Sequence, residues 1–120
     1  MKIAVTSSGE SLGSPLDIRL GRANYLVLMD LETGDFSVID NHSNRDLSQG
    51  AGIQAAETIC RSGAEAVITG HCGPKAFRVL AAAGIAVITG GKGTVREVLD
   101  QYQKGELKPV ASADVEGHWI

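Results

Sequence analysis

Aromatic residues are scarce, at 4% of the 120-residue chain. The core must therefore be built from aliphatic side chains. Cysteine is rarer still: Cys60 and Cys72 stand alone, with no C-x-x-C pair and no disulfide framework. There is no excess of positive charge. The net charge of −3 argues against a general nucleic-acid binder and against a polybasic membrane anchor. No apolar run approaches the length that crosses a bilayer. The opening run Met1-Lys2-Ile3-Ala4-Val5 is too short for a signal peptide, so a cytoplasmic protein with reduced thiols is expected.

Repetition is what the chain does have. Ala-Val-Ile-Thr-Gly occurs at 66–70 and again at 86–90, each time running into a glycine-rich loop. Those loops are Gly70-His71-Cys72-Gly73-Pro74-Lys75 and Gly90-Gly91-Lys92-Gly93. A looser copy, Ile3-Ala4-Val5-Thr6-Ser7-Ser8-Gly9, opens the chain. A short apolar run ending in small residues reads as a buried strand feeding a turn. A helix that follows presents free N–H groups and a partial positive charge. Several such strand ends together make an anion-binding rim.

The rest of the pattern gives a single α/β domain over 1–120. Strands are expected at 2–6, 24–30, 36–40, 66–69 and 85–89. The run 24–30 is apolar on both faces, as a covered central strand should be. Glu32-Thr33-Gly34-Asp35 makes 24–30 and 36–40 an antiparallel hairpin. A polar loop spans 41–50. The next helix places Ile53, Ala56 and Cys60 on one face and stops at Gly63. Pro74 starts another helix, which ends at Gly84. Thr94-Val95-Arg96-Glu97 is a capping box for a last helix ending near Gly105. Residues 106–120 form a tail. The simplest topology is a mixed five-stranded sheet in the order 3-2-1-4-5. Strand 2 is antiparallel, and helices cover both faces. This is a three-layer, ribonuclease-H-like arrangement, with a flavodoxin-like order as the alternative.

In that topology the loops 7–22, 41–50, 70–75 and 90–94 meet at the edge where open α/β sheets bind ligands. They bring Arg19, Arg22, Arg45, Lys75 and Lys92, with His42 and His71, partly offset by Glu10, Asp17, Asp40 and Asp46. Each feature also has a plainer reading. Glycines serve tight turns, arginines are mostly solvated, and Cys60 falls on an apolar helix face as a core residue. His118, in the tail, reads as a solvated side chain. His42, His71 and Cys72 are too few and too scattered for a closed zinc site. No Gly-Lys-Ser/Thr phosphate loop and no leading Gly-x-Gly-x-x-Gly occurs. The strand-end carboxylates of a two-metal nuclease and the Gly-x-Ser-x-Gly elbow are missing too. No catalytic residue is assigned.

Several segments together resemble the dinitrogenase iron–molybdenum cofactor biosynthesis family over nearly the whole chain. They are Leu20-Gly21-Arg22-Ala23, Glu32-Thr33-Gly34, Gly50-Ala51-Gly52-Ile53-Gln54-Ala55-Ala56, Gly73-Pro74-Lys75-Ala76-Phe77, Ala83-Gly84-Ile85 and Gly93-Thr94-Val95. The compact form is similar to a stand-alone subgroup from sulfate-reducing bacteria. Leu20 stands where a phenylalanine is usual, and His71-Cys72 replaces smaller or apolar residues. The resemblance implies a ribonuclease-H-like fold and a non-covalently held molybdenum–copper sulfide cluster. It also implies partner proteins of the ATP-binding kind. A thiomolybdate-type cluster brings its own sulfide and is anionic, so it asks for amide and guanidinium donors and nearby cations. The expected contacts are Ser7, Ser8, Arg19, Arg22, His42, Gly52, His71, Cys72, Gly73, Lys75 and Lys92. Direct metal ligation, if any, falls to His71 and Cys72. The expected function is non-catalytic binding, storage or delivery of that cluster. The alternatives are a regulatory interaction module with a vestigial site, or an enzyme acting on a phosphorylated or nucleotide substrate.

Overall fold

The computed structural model describes residues 1–111. Its sheet contains β1 (Lys2–Ser7), β2 (Tyr25–Asp30), β3 (Phe36–Asp40), β4 (Ala66–Ile68) and β5 (Ala86–Ile88), in the order β3-β2-β1-β4-β5. β2 is antiparallel to both neighbours, whereas β1, β4 and β5 run parallel. The expected topology and hairpin are therefore observed. One element departs from expectation. The segment read as a polar loop contains a single helical turn, α1 (His42–Arg45), ahead of α2 (Ala51–Arg61). Its N–H groups at Arg45 and Asp46 bond the carbonyls of Asn41 and His42. Four polar residues carry no apolar periodicity, so nothing in the pattern announces that turn.

Strand alternation sorts the core into two layers. Ala4, Leu26, Val67 and Val87 face α2 and α3 (Pro74–Ala82), where they pack with Ala55, Ala56, Ile59, Ala76 and Leu80. Ile3, Val5, Val27, Ala66, Ile68 and Ile88 face α4 (Val95–Gln103), against Val95, Val98 and Leu99. The buried stripe of α2 is Gly52, Ala55, Ala56 and Ile59. Ile53 and Cys60 are only half-buried, so the helix is rotated from the expected face. The small residues let α2 lie close to α3 and to the sheet. Gly63 and Gly84, just past two helices, have φ of 86° and 76°, a conformation suited to glycine. The capping box at Thr94 and Glu97 is formed in both directions.

Part of the expected tail is docked. Pro109 bridges Ile88, and Val110 N–H donates to the Val87 carbonyl at 2.8 Å, extending the sheet past β5. A proline fits there because this outer edge needs no further donor. His118 and Trp119 lie outside the described residues.

The long loop between β1 and β2 crosses the carboxyl ends of the strands. Two close approaches hold it. A Cβ on Gly21 would stand 2.4 Å from the Gly52 nitrogen, and one on Gly70 would stand 2.6 Å from the Ile18 Cα. Both obstacles are backbone, which cannot swing aside. Gly21→Ala is therefore expected to lower stability by at least the roughly 1–3 kcal/mol of an overpacked site. Urea unfolding measures this. A loss under about 0.5 kcal/mol, the range of an ordinary surface change, would show that the loop relaxes freely.

Candidate functional site

β1, β3, β4 and β5 end, and β2 begins, at one edge of the sheet. With strands about 4.8 Å apart, the edge is roughly 19 Å wide from β3 to β5. His42 follows β3, and Lys92 follows β5. They share the edge but stand at its two ends, so no single small ligand spans both.

The middle of the edge is roofed by the first loop. Leu16 N–H bonds the Gly93 carbonyl at 2.9 Å, Asp17 N–H the Thr6 carbonyl at 2.9 Å, and His71 N–H the Ile18 carbonyl at 2.6 Å. The Thr6 hydroxyl donates to the Asp17 carbonyl at 2.6 Å, and its oxygen lies within hydrogen-bond distance of the Thr69 hydroxyl at 2.9 Å. Ser7 is fully buried, and its hydroxyl donates to the Gly9 carbonyl at 2.7 Å. Ser7 thus shapes the loop rather than facing a ligand. The Ser8 hydroxyl reaches the Pro15 carbonyl at 3.2 Å. Behind the roof, Leu20 fills the α2/α3 core at 2% exposure.

Two of the five expected cations are struts. Arg22 Nη1 donates to the carbonyls of Arg45 and Leu47, at 2.5 and 2.8 Å, and so ties down the end of α1. Arg45 donates through Nη1 to Asn24 Oδ1 at 2.5 Å and through Nε to Asp46 at 2.9 Å. Asn24 in turn donates to the Ser8 carbonyl at 3.0 Å. Buried Asn41 donates to the Ala23 carbonyl at 2.8 Å, and Asn44 bridges Asn41 and Thr58. Both N–H groups of Arg22 Nη1 are thus taken up by carbonyls at and just beyond the end of α1. Arg19, Lys75 and Lys92 are exposed, and their side chains make no hydrogen bond or ion pair with other described residues.

At the β3 end, His42 Nδ1 lies 2.6 Å from Asp40 Oδ1, and the His42 backbone N–H donates to the same oxygen at 2.8 Å. The Tyr25 ring meets the imidazole edge-on, with centroids 5.1 Å apart. The Asp40 carboxyl is held below its ordinary 3.8, first by the His42 backbone hydrogen bond and then by the His42 side chain. The sequence marks Asp40 only as one of the offsetting acids at this edge, and Tyr25 only as a residue of the central strand. Only the Asp-x-His spacing hinted at the pair.

The two residues of the metal pair expected in the 70–75 loop differ in burial. Cys72 is 1% exposed and packs within the α2/α3 core, while its neighbour His71 is exposed. Among the described residues no group of three or more His, Cys, Asp or Glu could hold a metal ion.

A concavity of about 490 Å³ lies where α2 and α3 begin, lined by Ser48, Gln49, Gly50, Ala51, Gly52, Ile53 and Lys75. A second hollow, of about 520 Å³, shares Gln49, Gly50 and Ile53 and extends to Ser43 and Leu47 of the α1 side. Gly50 caps α2 in the left-handed conformation at φ 78°, and Gly73 caps α3, neither with a side-chain acceptor. Buried Gly73 accepts from Phe77 N–H at 2.9 Å through its carbonyl. The first-turn amides of α2, including buried Gly52, and the Lys75 ammonium thus border one hollow.

This edge and fold have matching relatives. Residues 1–105 match the sequence model for dinitrogenase iron-molybdenum cofactor proteins. The chain belongs to that family. Its fold superposes on the apo form of the orange protein from Desulfovibrio gigas with a TM-score of 0.92 at 40% identity, covering 95% of this chain and 96% of that one. A NifB-like protein from Thermotoga, solved by NMR, matches with a TM-score of 0.83 at 31% identity, over 97% and 98% of the two chains. An uncharacterized protein of Methanocaldococcus jannaschii is 28% identical over 111 residues, 90% of each chain. Among the described residues no helix is long and apolar enough to cross a membrane.

Two outcomes follow for this family member. Arg22→Gln should cost about 1–2 kcal/mol in urea unfolding, since it strips a charged donor from two carbonyls, whereas Lys75→Gln should change stability by less than about 0.5 kcal/mol. Equal losses would contradict the division into strut and presented cation. By NMR, the Asp40 carboxyl should titrate below 3.8. A depressed folded value stabilises above the unfolded carboxyl's range, and that stabilisation is lost as pH falls through the folded value. A midpoint at or above 3.8 would remove the His42 hydrogen bonds from solution.

Proposed function

We propose that this protein binds, stores or delivers a pre-formed anionic molybdenum-containing sulfide cluster of the molybdenum–copper kind, without catalysis. The observation that carries the reading is the hollow at the starts of α2 and α3, bordered by uncapped amides and by Lys75. Membership of the family and likeness to the orange protein support it.

The donor set suits such a cargo. A bare divalent metal asks for several protein ligands, and the described residues gather no such group. A cluster carrying its own sulfide asks instead for N–H donors and positive charge. The left-handed Gly50 offers the first-turn amides of α2 no capping side chain, and Ala51, Gly52 and Ile53 line the hollow. Lys75 adds a full charge from the facing helix. Exposed Arg19 and His71, side by side through their backbone bridge, add polarity nearer the centre of the edge. A cargo held this way leaves without breaking a protein–metal bond. That suits hand-over to a partner, which the family resemblance suggests is of the ATP-binding kind.

Anaerobic mixing of apo-protein with tetrathiomolybdate and copper should give a coloured species that survives gel filtration and contains both metals. Lys75→Glu should weaken retention about tenfold, about 1.4 kcal/mol, the scale of one charge-assisted contact. Loss of colour from the wild type, or equal retention by the variant, would overturn the reading.

A further inference from the structure

The two outer strands of the sheet are treated differently. Beyond β5 the chain supplies its own cover: Val110 N–H donates to the Val87 carbonyl, and Pro109 bridges Ile88. On the other side β3 is outermost, and no described residue pairs with its outer edge. The ladder with β2 fixes which groups point outward. Asp30 N–H bonds the Asp35 carbonyl and Asn41 N–H the Asn24 carbonyl, so residues 35, 37, 39 and 41 bond inward. The backbone N–H and C=O groups of Phe36, Val38 and Asp40 therefore face outward. Such edges are commonly blunted by lysine, by proline or by a bulge. Phe36-Ser37-Val38-Ile39-Asp40 contains neither residue, and its register with β2 runs without a bulge. Phe36 is 42% exposed.

Charge decides what this edge accepts. Between Arg22 and Arg45 the chain carries Asp30, Glu32, Asp35 and Asp40, and no lysine or arginine. A hollow of about 280 Å³ at the start of β3 is lined by Leu28, Asp30, Asp35 and Phe36, with Lys2 as its one base. Glu32 lies 3.7 Å from the Met1 ammonium, and Asp40 gives one oxygen to His42. The Asp35 carboxylate bonds to no described residue. We propose that the outer edge of β3 docks an extended segment of a partner protein, which joins the five-stranded sheet as a further strand and carries lysine or arginine beside apolar residues. The added backbone pairs with Phe36, Val38 and Asp40. Apolar side chains of the segment cover Phe36 and Val38, and a basic one enters the hollow beside Asp30 and Asp35. A second copy of this chain is the poorer occupant. Two β3 strands side by side would bring both copies of Asp35 and Asp40 along one seam, with no lysine or arginine from either hairpin to offset them. The chain's own residues 112–120 include Asp114 and Glu116 and likewise no lysine or arginine.

The probe is a phage-displayed library of random linear peptides of about ten residues, the length of a long strand, selected on the full chain. Enriched peptides should carry lysine or arginine beside apolar residues and few acids. A synthetic copy of the best binder should slow solvent exchange of the Phe36, Val38 and Asp40 amides in the 15N-labelled protein, while Ser37 and Ile39 are slow already in the free chain. Asp35→Lys should weaken binding about tenfold, and raising salt to about 0.5 M should weaken it as well. Val38→Pro removes an outward donor and no inward one, so the protein should stay folded while binding falls about tenfold. Methylating alternate backbone nitrogens of the peptide asks the same question without altering the protein. One set of methyl groups should abolish binding and the other set should spare it. No enrichment, enrichment of acidic peptides, or binding indifferent to Asp35→Lys and to the methyl groups would overturn the proposal. So would Phe36, Val38 and Asp40 amides that are already slow in the free chain. Slowing that grows with protein concentration would then assign the edge to a second copy, and slowing independent of concentration to the chain itself. None of these readouts involves thiomolybdate, so the cargo reading stands or falls separately.

Discussion

Everything at the ligand edge depends on backbone meeting backbone. The first loop can cross the strand ends only because Gly21 and Gly70 let it lie against Gly52 and Ile18 with no Cβ between them. That contact sends Leu20 into the core beneath the loop. It fixes where α2 starts, since Gly52 belongs to its first turn. It also closes the centre of the edge, where a doubly wound sheet would otherwise open a crevice. The space left for a ligand is displaced toward α2 and α3. Removing either close approach would alter the core and the hollow together.

Charge is divided along the same line. Arg22 and Arg45 are spent on carbonyls and on Asn24 and Asp46, and they hold the α1 segment against the first loop. Arg19, Lys75 and Lys92 remain turned to solvent. The acidic chain thus presents a few cations at one edge, on a frame that other cations hold rigid. Presented lysines contribute little to folding, and struts contribute little to a ligand's charge balance, so the two groups separate under mutation.

The sheet was legible because its signals are strong and local. The repeated Ala-Val-Ile-Thr-Gly runs, the Glu32–Asp35 turn, Pro74 and the Thr94 capping box each have one sensible reading. The relative order of the strands followed from short connections and right-handed crossovers. The site was legible only as an edge. That Arg22 would turn inward depends on where the carbonyls of Arg45 and Leu47 end up, and no pattern in the chain encodes that. The single turn at 42–45 has no apolar period. Cys72 illustrates the limit best: in a glycine-rich loop beside a histidine it reads as a ligand, yet it is buried in the α2/α3 core. Asp40 and His42 carried their meaning in spacing alone, which becomes chemistry only once the short α1 turn folds the imidazole back onto the carboxylate.

The central claim is that an anionic sulfide cluster sits on the amides that begin α2, beside Lys75. Amide chemical-shift mapping of the 15N-labelled protein during titration with tetrathiomolybdate and copper tests it most directly. The account predicts that the resonances of Ala51, Gly52, Ile53 and Lys75 move first and furthest, while those of Gly91 to Gly93 stay nearly still. Changes centred on the 90–93 loop, with the start of α2 unmoved, would contradict it.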